Sequence, residues 1–173
     1  MVEVRLRAVR VDLQSNTPVL LLQESEGLGR TLPIFIGAPE ATAIAFALQG
    51  MDTPRPMTHD LIRDLLDALE AEVVRVVITE LKTATYFAEI VLRHGGHENP
   101  VSSRPSDAVA VAVRAGAPLF VADDLMDSEG IMLAVDEEDG DEGSGDEEGS
   151  NPDELVGEFR TFLDSIRPED FSS

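Results

Sequence analysis

Ser102-Ser103-Arg104-Pro105-Ser106-Asp107-Ala108-Val109-Ala110-Val111-Ala112-Val113-Arg114 reads as a helix with a marked beginning and a closely packed body. A serine supplies an N-cap oxygen, Pro105 fits the first turn where its missing N–H costs nothing, and Asp107 places a negative charge at the positive end of the helix dipole. The body is built of alanine and valine, so its surface is small enough to lie close against a sheet, and Gly116 stands where a C-cap glycine belongs. Helix propensity does not ask for a cation, a hydroxyl and a carboxylate (Arg104, Ser106 and Asp107) within one first turn. That cluster makes the start of this helix the first candidate for chemistry.

The pattern on either side sets the fold class. Val2, Val4, Leu6 and Ala8 alternate with charged residues, a half-buried strand. Residues 18–23 form a more buried strand, Glu26 to Arg30 a turn, and Leu32–Ile36 a third strand, together an antiparallel meander. Gly27 and Gly29 belong to that turn: no third glycine and no helix follow, as a dinucleotide fingerprint would require. Pro39 opens a helix through about Leu48, with Gly50 ending it. Thr58 caps a second, His59 to Leu69, with Leu61, Ile62, Leu65, Leu66 and Leu69 at core spacing. Val73–Leu81 and Tyr86–Arg93 form a hairpin, a polar loop from Arg93 to His97 leads on to the Ser103 helix, and Leu119–Val121 is a short strand. Strands, helices, a hairpin, a helix and a strand make an α+β domain with a largely antiparallel or mixed sheet and about three packed helices, not a repeated βαβ winding.

Three stretches together resemble the bifunctional nuclease (BFN) family: the Ser103 helix with Ala117-Pro118-Leu119-Phe120-Val121 after it; Leu32-Pro33-Ile34-Phe35-Ile36-Gly37-Ala38-Pro39-Glu40-Ala41-Thr42-Ala43-Ile44, where a strand enters a helix; and Arg55-Pro56-Met57-Thr58-His59-Asp60-Leu61. Their order and spacing agree with the family over roughly residues 1–133. The resemblance implies a nuclease acting on both DNA and RNA, and it also suggests a homodimer. The rival reading is a non-catalytic dimeric regulatory or interaction module whose polar clusters are structural.

Composition narrows the chemistry. The 173 residues contain no cysteine, which removes disulfides, thiolate metal sites and cysteine nucleophiles, and fits a reducing compartment. The first residues alternate charge and apolarity without a signal-peptide core, and no apolar run approaches the roughly 18 residues of a membrane span. The expectation is a soluble cytoplasmic protein with no membrane partner. The net charge of −21 is unevenly spread: residues 1–133 hold 19 acids and 11 Lys/Arg, and residues 134–173 hold 15 acids and 2 Arg. Even the first part is too acidic for tight, sequence-independent polyanion binding, which needs a basic face. An enzyme touching its nucleic acid briefly, through a metal, is less constrained. There is no HNH pattern, no DEDD array and no basic stripe.

Phosphodiester hydrolysis needs an activated water and a means of stabilising charge on phosphorus, commonly Mg²⁺ or Mn²⁺ held by carboxylates beside a Lys or Arg. The candidate catalytic residues are Glu40, His59, Asp60 and Asp107, the candidate metal ligands Glu40, Asp60 and Asp107, and the candidate phosphate-binding residues Arg104 and Ser106. Each has a second reading. Glu40 and Asp60 complement helix dipoles, His59 at a positive helix end favours the neutral imidazole that serves as ligand or base, and Arg104 can belong to a capping network. His94 and His97 are loop histidines at a spacing that weakly suggests metal capture. Asp123 and Asp124 follow a strand end, while Glu80, Glu89, Lys82 and Arg93 can simply pair across the hairpin.

Residues 134–150 read as a disordered acidic linker. Between 136 and 150 stand nine acids, four glycines and two serines, with nothing apolar and no EF-hand register. Asn151-Pro152-Asp153-Glu154 then starts a helix, within the segment 151–173, whose Leu155, Val156, Phe159, Phe162, Leu163 and Ile166 make one apolar stripe. The linker's carboxylates are expected to restrain nucleic-acid binding by repelling polyanions over a Debye length of about 8 Å.

Overall fold

A computed structural model describes residues 1–51 and 53–133, so the acidic linker and C-terminal helix expected from the sequence lie outside the described residues. Seven strands form one mixed sheet in the order β3-β2-β1-β7-β4-β5-β6. β1 (Val2–Asp12), β2 (Thr17–Glu24) and β3 (Thr31–Phe35) are the antiparallel meander expected from the alternation. α1 (Ala38–Leu48) and α2 (Thr58–Ala68) follow, then the hairpin β4 (Glu72–Lys82) and β5 (Thr85–His94). β6 (His97–Ser103), α3 (Pro105–Ala115), β7 (Leu119–Val121) and α4 (Asp123–Glu129) complete the described chain. None of the described helices is long and apolar enough to cross a membrane.

The three residues of β7 join the two halves. They pair antiparallel with β1 (Val4 opposite Leu119) and parallel with β4 (Ile78 opposite Val121). Val4, Val76, Ile78, Leu119 and Val121 are all buried at this seam. α3 packs against α1, α2, β4 and β5. Its Ala108, Val109, Ala110, Val111 and Ala112 are almost wholly buried, which the small side chains permit by letting the helix axis approach the sheet. Gly116 closes α3 at φ 66°, a left-handed conformation that costs glycine little. The β4–β5 turn is tighter than a four-residue link: Thr83 and Ala84 both have positive φ, 48° and 58°, as a two-residue type I′ hairpin requires.

Four expectations need correction. No serine caps α3; Ser103 is the last residue of β6, paired with Ala88, and Arg104 holds the N-cap position without a side-chain cap bond. Thr58 is likewise inside α2, whose N-cap is Met57; Asp60 Oδ2 accepts from the Met57 N–H at 2.9 Å. The polar run after Arg93 is a tight Gly95-Gly96 turn into β6, hidden in the sequence by its polarity and by Pro100. An edge strand tolerates that proline because the N–H it lacks is not needed there. The leucine stripe of α2 is not wholly core: Leu61, Leu65 and Leu69 are 49%, 53% and 64% exposed, while the buried residue of this helix is His59.

The close seating of α3 sets its tolerance. Ala108→Leu should destabilise the fold by about 1–3 kcal/mol through overpacking, and Ala115→Leu at the exposed end of the helix by much less. Urea unfolding of the two variants measures the difference; equal effects would show that α3 is not sealed against the sheet.

Candidate active site

α1, α2 and α3 bring their first turns to one cavity of about 590 Å³, lined at its mouth by Glu40, His59, Arg104 and Asp107. Each residue is there for a local reason. Glu40 sits in the first turn of α1, directly after the strand-to-helix turn at Gly37 and Pro39. A Cβ at Gly37 would overlap Glu40 Oε2, so the glycine leaves room for the carboxylate to fold back over the helix start, at an ordinary φ of −75°. His59 is in the first turn of α2, with a side chain only 9% exposed. Arg104 and Asp107 flank Pro105, at the point where β6 turns into α3.

The four side chains form one hydrogen-bonded chain. Arg104 Nη2 donates to Glu40 Oε1 at 2.9 Å and to Asp107 Oδ1 at 3.0 Å, and Arg104 Nε donates to Asp107 Oδ2 at 2.7 Å. His59 Nε2 lies 3.2 Å from Asp107 Oδ1. Asp107 therefore orients both a guanidinium and an imidazole. Burial pushes its carboxyl pKa up, but the hydrogen bonds from Arg104 and His59 outweigh this and hold it below its ordinary value, so it is ionised at neutral pH. Among the described residues Arg104 is the one permanently charged cation lining the cavity, and it is two-thirds exposed. Behind the rim the wall is aliphatic: Met57, Ile62, Leu66, Ile90, Leu92, Val101 and Val111.

The remaining candidates lie elsewhere. Asp60 does not line the cavity. Its Oδ1 accepts from Arg114 Nε at 2.5 Å, and Arg114 also donates to the carbonyls of Ala110 (3.0 Å) and Ala43 (2.9 Å). Asp60 and Arg114 thereby tie the three site-forming helices together. Nothing in the sequence distinguishes Arg114 from a cation complementing the α3 C-terminus. Ser106 is buried and faces a neighbouring cavity, with Ile34, Ile36 and Tyr86, that also borders Arg104. His94 and His97 are an exposed cross-strand pair beside the Gly95-Gly96 turn. Glu80 pairs with Lys82, Arg93 with Glu72 and Glu98, and Asp123 with the amino group of Met1. Among the described residues no three His, Asp or Glu side chains are grouped so as to hold a metal ion by themselves.

The Arg114 hydrogen bond holds the Asp60 carboxyl below its ordinary pKa, against the upward push of burial. Stability from a depressed carboxylate is fully present above the unfolded value, near 4, and is lost as pH falls through the folded value. Asp60→Ala leaves the 4%-exposed Arg114 side chain without its counter-ion and should cost about 3 kcal/mol at pH 7. The gap to the parent, measured by urea unfolding, should narrow below about pH 4; a gap constant down to pH 2 would refute the ion-pair account.

The sequence pattern described as the bifunctional nuclease domain matches residues 20–134, the span that runs from β2 through α4 and carries every side chain of the rim. An uncharacterized protein of Mycobacterium tuberculosis is similar over nearly the whole chain: 43% identical over 173 residues, 99% of this chain and 98% of its own length. Bifunctional nucleases 1 and 2 of Arabidopsis thaliana are 29% and 30% identical over 119 and 117 residues. Those stretches are 67% and 66% of this chain but only 37% and 36% of the plant proteins. Because the family pattern matches about two thirds of its length, the chain belongs to the bifunctional nuclease domain family.

Proposed function

We propose that this protein hydrolyses phosphodiester bonds in DNA and RNA at the cavity bordered by Glu40, His59, Arg104 and Asp107. The observation that carries this reading is the arrangement around Arg104: one exposed guanidinium between two carboxylates and beside an imidazole, at the meeting point of three helix starts. Arg104 is suited to a phosphate because its planar donors match phosphoryl oxygens and its exposed side chain can leave the carboxylates to reach them. Asp107, ionised and hydrogen-bonded to His59, orients that imidazole as a general base toward an attacking water.

A divalent metal is part of the proposal. Glu40 Oε1 and Asp107 Oδ1 accept from the same nitrogen, so two hard oxygen donors face one position. Mg²⁺ is commonly held by one or two carboxylates, with water and substrate phosphates completing its shell. Glu40 and Asp107 would hold such an ion, and Asp60, engaged with Arg114, would not. When bound, the ion would supply charge neutralisation at the phosphoryl oxygens and a more acidic water.

A purified full chain assayed on DNA and RNA, with and without Mg²⁺ or Mn²⁺, tests the reading. Asp107→Asn and Arg104→Ala should each lower the cleavage rate by about 10²-fold or more while leaving the fold intact by circular dichroism. Gly37→Ala, whose backbone is unstrained but whose Cβ displaces the Glu40 carboxylate, should lower it too. Absence of cleavage under every ion condition, or variants as active as the parent, would defeat the proposal.

A homodimer is also proposed, supported by the bare stripe of Leu61, Leu65 and Leu69, which repeats every four residues along one side of α2. Light scattering at micromolar concentration should give twice the chain mass of 18.7 kDa, and Leu65→Arg should shift it toward one chain. A parent protein that scatters as a single chain would overturn this assembly.

A further inference from the structure

Gripping a nucleic-acid backbone calls for a charged groove, yet among the described residues this site offers a single cation beside a largely aliphatic cavity. The rim is not net positive, since Glu40 and Asp107 accompany Arg104. Neither backbone attraction nor rim charge accounts for the apolar wall. Its aliphatic side chains are also left unsealed: Val101 is 46% exposed, and Ile62, Leu66, Ile90 and Leu92 are only half-buried. A concave site of about 590 Å³, mostly apolar with a few polar groups at one side, has the form of a small-molecule pocket rather than of a backbone track.

A ligand that suits both halves carries a flat, weakly polar ring at one end and a phosphate at the other. On this ground, and resting on the phosphodiesterase reading above, we propose that the cavity receives one unpaired nucleobase of the substrate, with its adjoining phosphate placed at Arg104. Ile62, Leu66, Ile90, Leu92 and Val101 enclose the faces of the ring. No aromatic side chain among the described residues lines the wall, so the base is held by aliphatic contact and shape, which every base can satisfy and which discriminates little between ribose and deoxyribose. A base inside a duplex cannot enter without leaving its stack, at a cost of a few kcal/mol. The favoured substrates are therefore single strands, frayed ends and loops of either nucleic acid.

The experiment uses the full chain, with Mg²⁺ or Mn²⁺ present and absent. Calorimetry compares inorganic phosphate, a nucleoside and a nucleoside 5′-monophosphate, and cleavage is measured on one sequence as single strand and as duplex. The monophosphate should bind at least about tenfold tighter than phosphate, and the single strand should be cut at least about tenfold faster than the duplex. Val101→Trp adds bulk at the exposed part of the aliphatic wall. It should erase the advantage of the monophosphate over phosphate while leaving phosphate binding and the melting temperature unchanged; Val101→Ala should keep the advantage. If phosphate and monophosphate bind alike and duplex is cut as fast as single strand, the base pocket is wrong and the nuclease reading stands. If no substrate is cut under any ion condition, the nuclease reading itself fails, and the inference with it. A Val101→Trp protein that changes its oligomeric state instead of its nucleotide binding would assign the wall to a contact between copies and overturn the proposal.

Discussion

Arg114 is the residue on which the geometry of the site depends. A guanidinium 4% exposed to solvent is tolerable only when its donors are satisfied, and here Asp60 of α2, the Ala43 carbonyl of α1 and the Ala110 carbonyl of α3 satisfy them. Each partner belongs to a different helix, so a displacement of any one would strand a buried charge. The same Asp60 accepts from the Met57 N–H and fixes where α2 begins, which places His59 beside Asp107. The structural carboxylate and the candidate catalytic one are thus coupled through the start of α2 and the body of α3.

Close packing supplies the other half of this constraint. Alanines and valines let α3 lie against β4 and β5 between its two neighbours, and the chain that leaves α3 immediately becomes β7, the seam of the sheet. The helix start is pinned from the other direction by β6, which stays paired with β5 up to Ser103. Arg104 and Asp107 therefore stand on a turn fixed at both ends, the kind of rigid support that a constellation of side chains needs to keep its geometry.

The acidity of the domain acquires a physical meaning in this setting. With more acids than Lys/Arg in residues 1–133, long-range attraction of a polyanion is not the organising force. What the site offers is local: one cation and three helix N-termini at the rim, with an apolar surface behind them. Such a site favours a ligand already within contact distance over one drawn from afar.

The sequence by itself determined the elements whose signals are local. The alternation of β1, the apolar run of β2 and the end of α3 at Gly116 depend on side-chain period and backbone sterics, which act between near neighbours in the chain. The family resemblance was legible for the same reason, in three helix-start motifs. Glu40, His59, Arg104 and Asp107 stood out because charged and polar residues at helix starts have few purely local explanations. Only the tertiary structure decided which of them meet. It engaged Asp60 with Arg114 instead of the cavity, turned Ser106 toward another cavity, and exposed the α2 leucines while burying His59. It also made a strand of the polar segment His97–Ser103, because backbone hydrogen bonds to β5 outweigh its poor strand propensity. Those outcomes rest on contacts between residues tens of positions apart, and neither composition nor periodicity records who stands opposite whom.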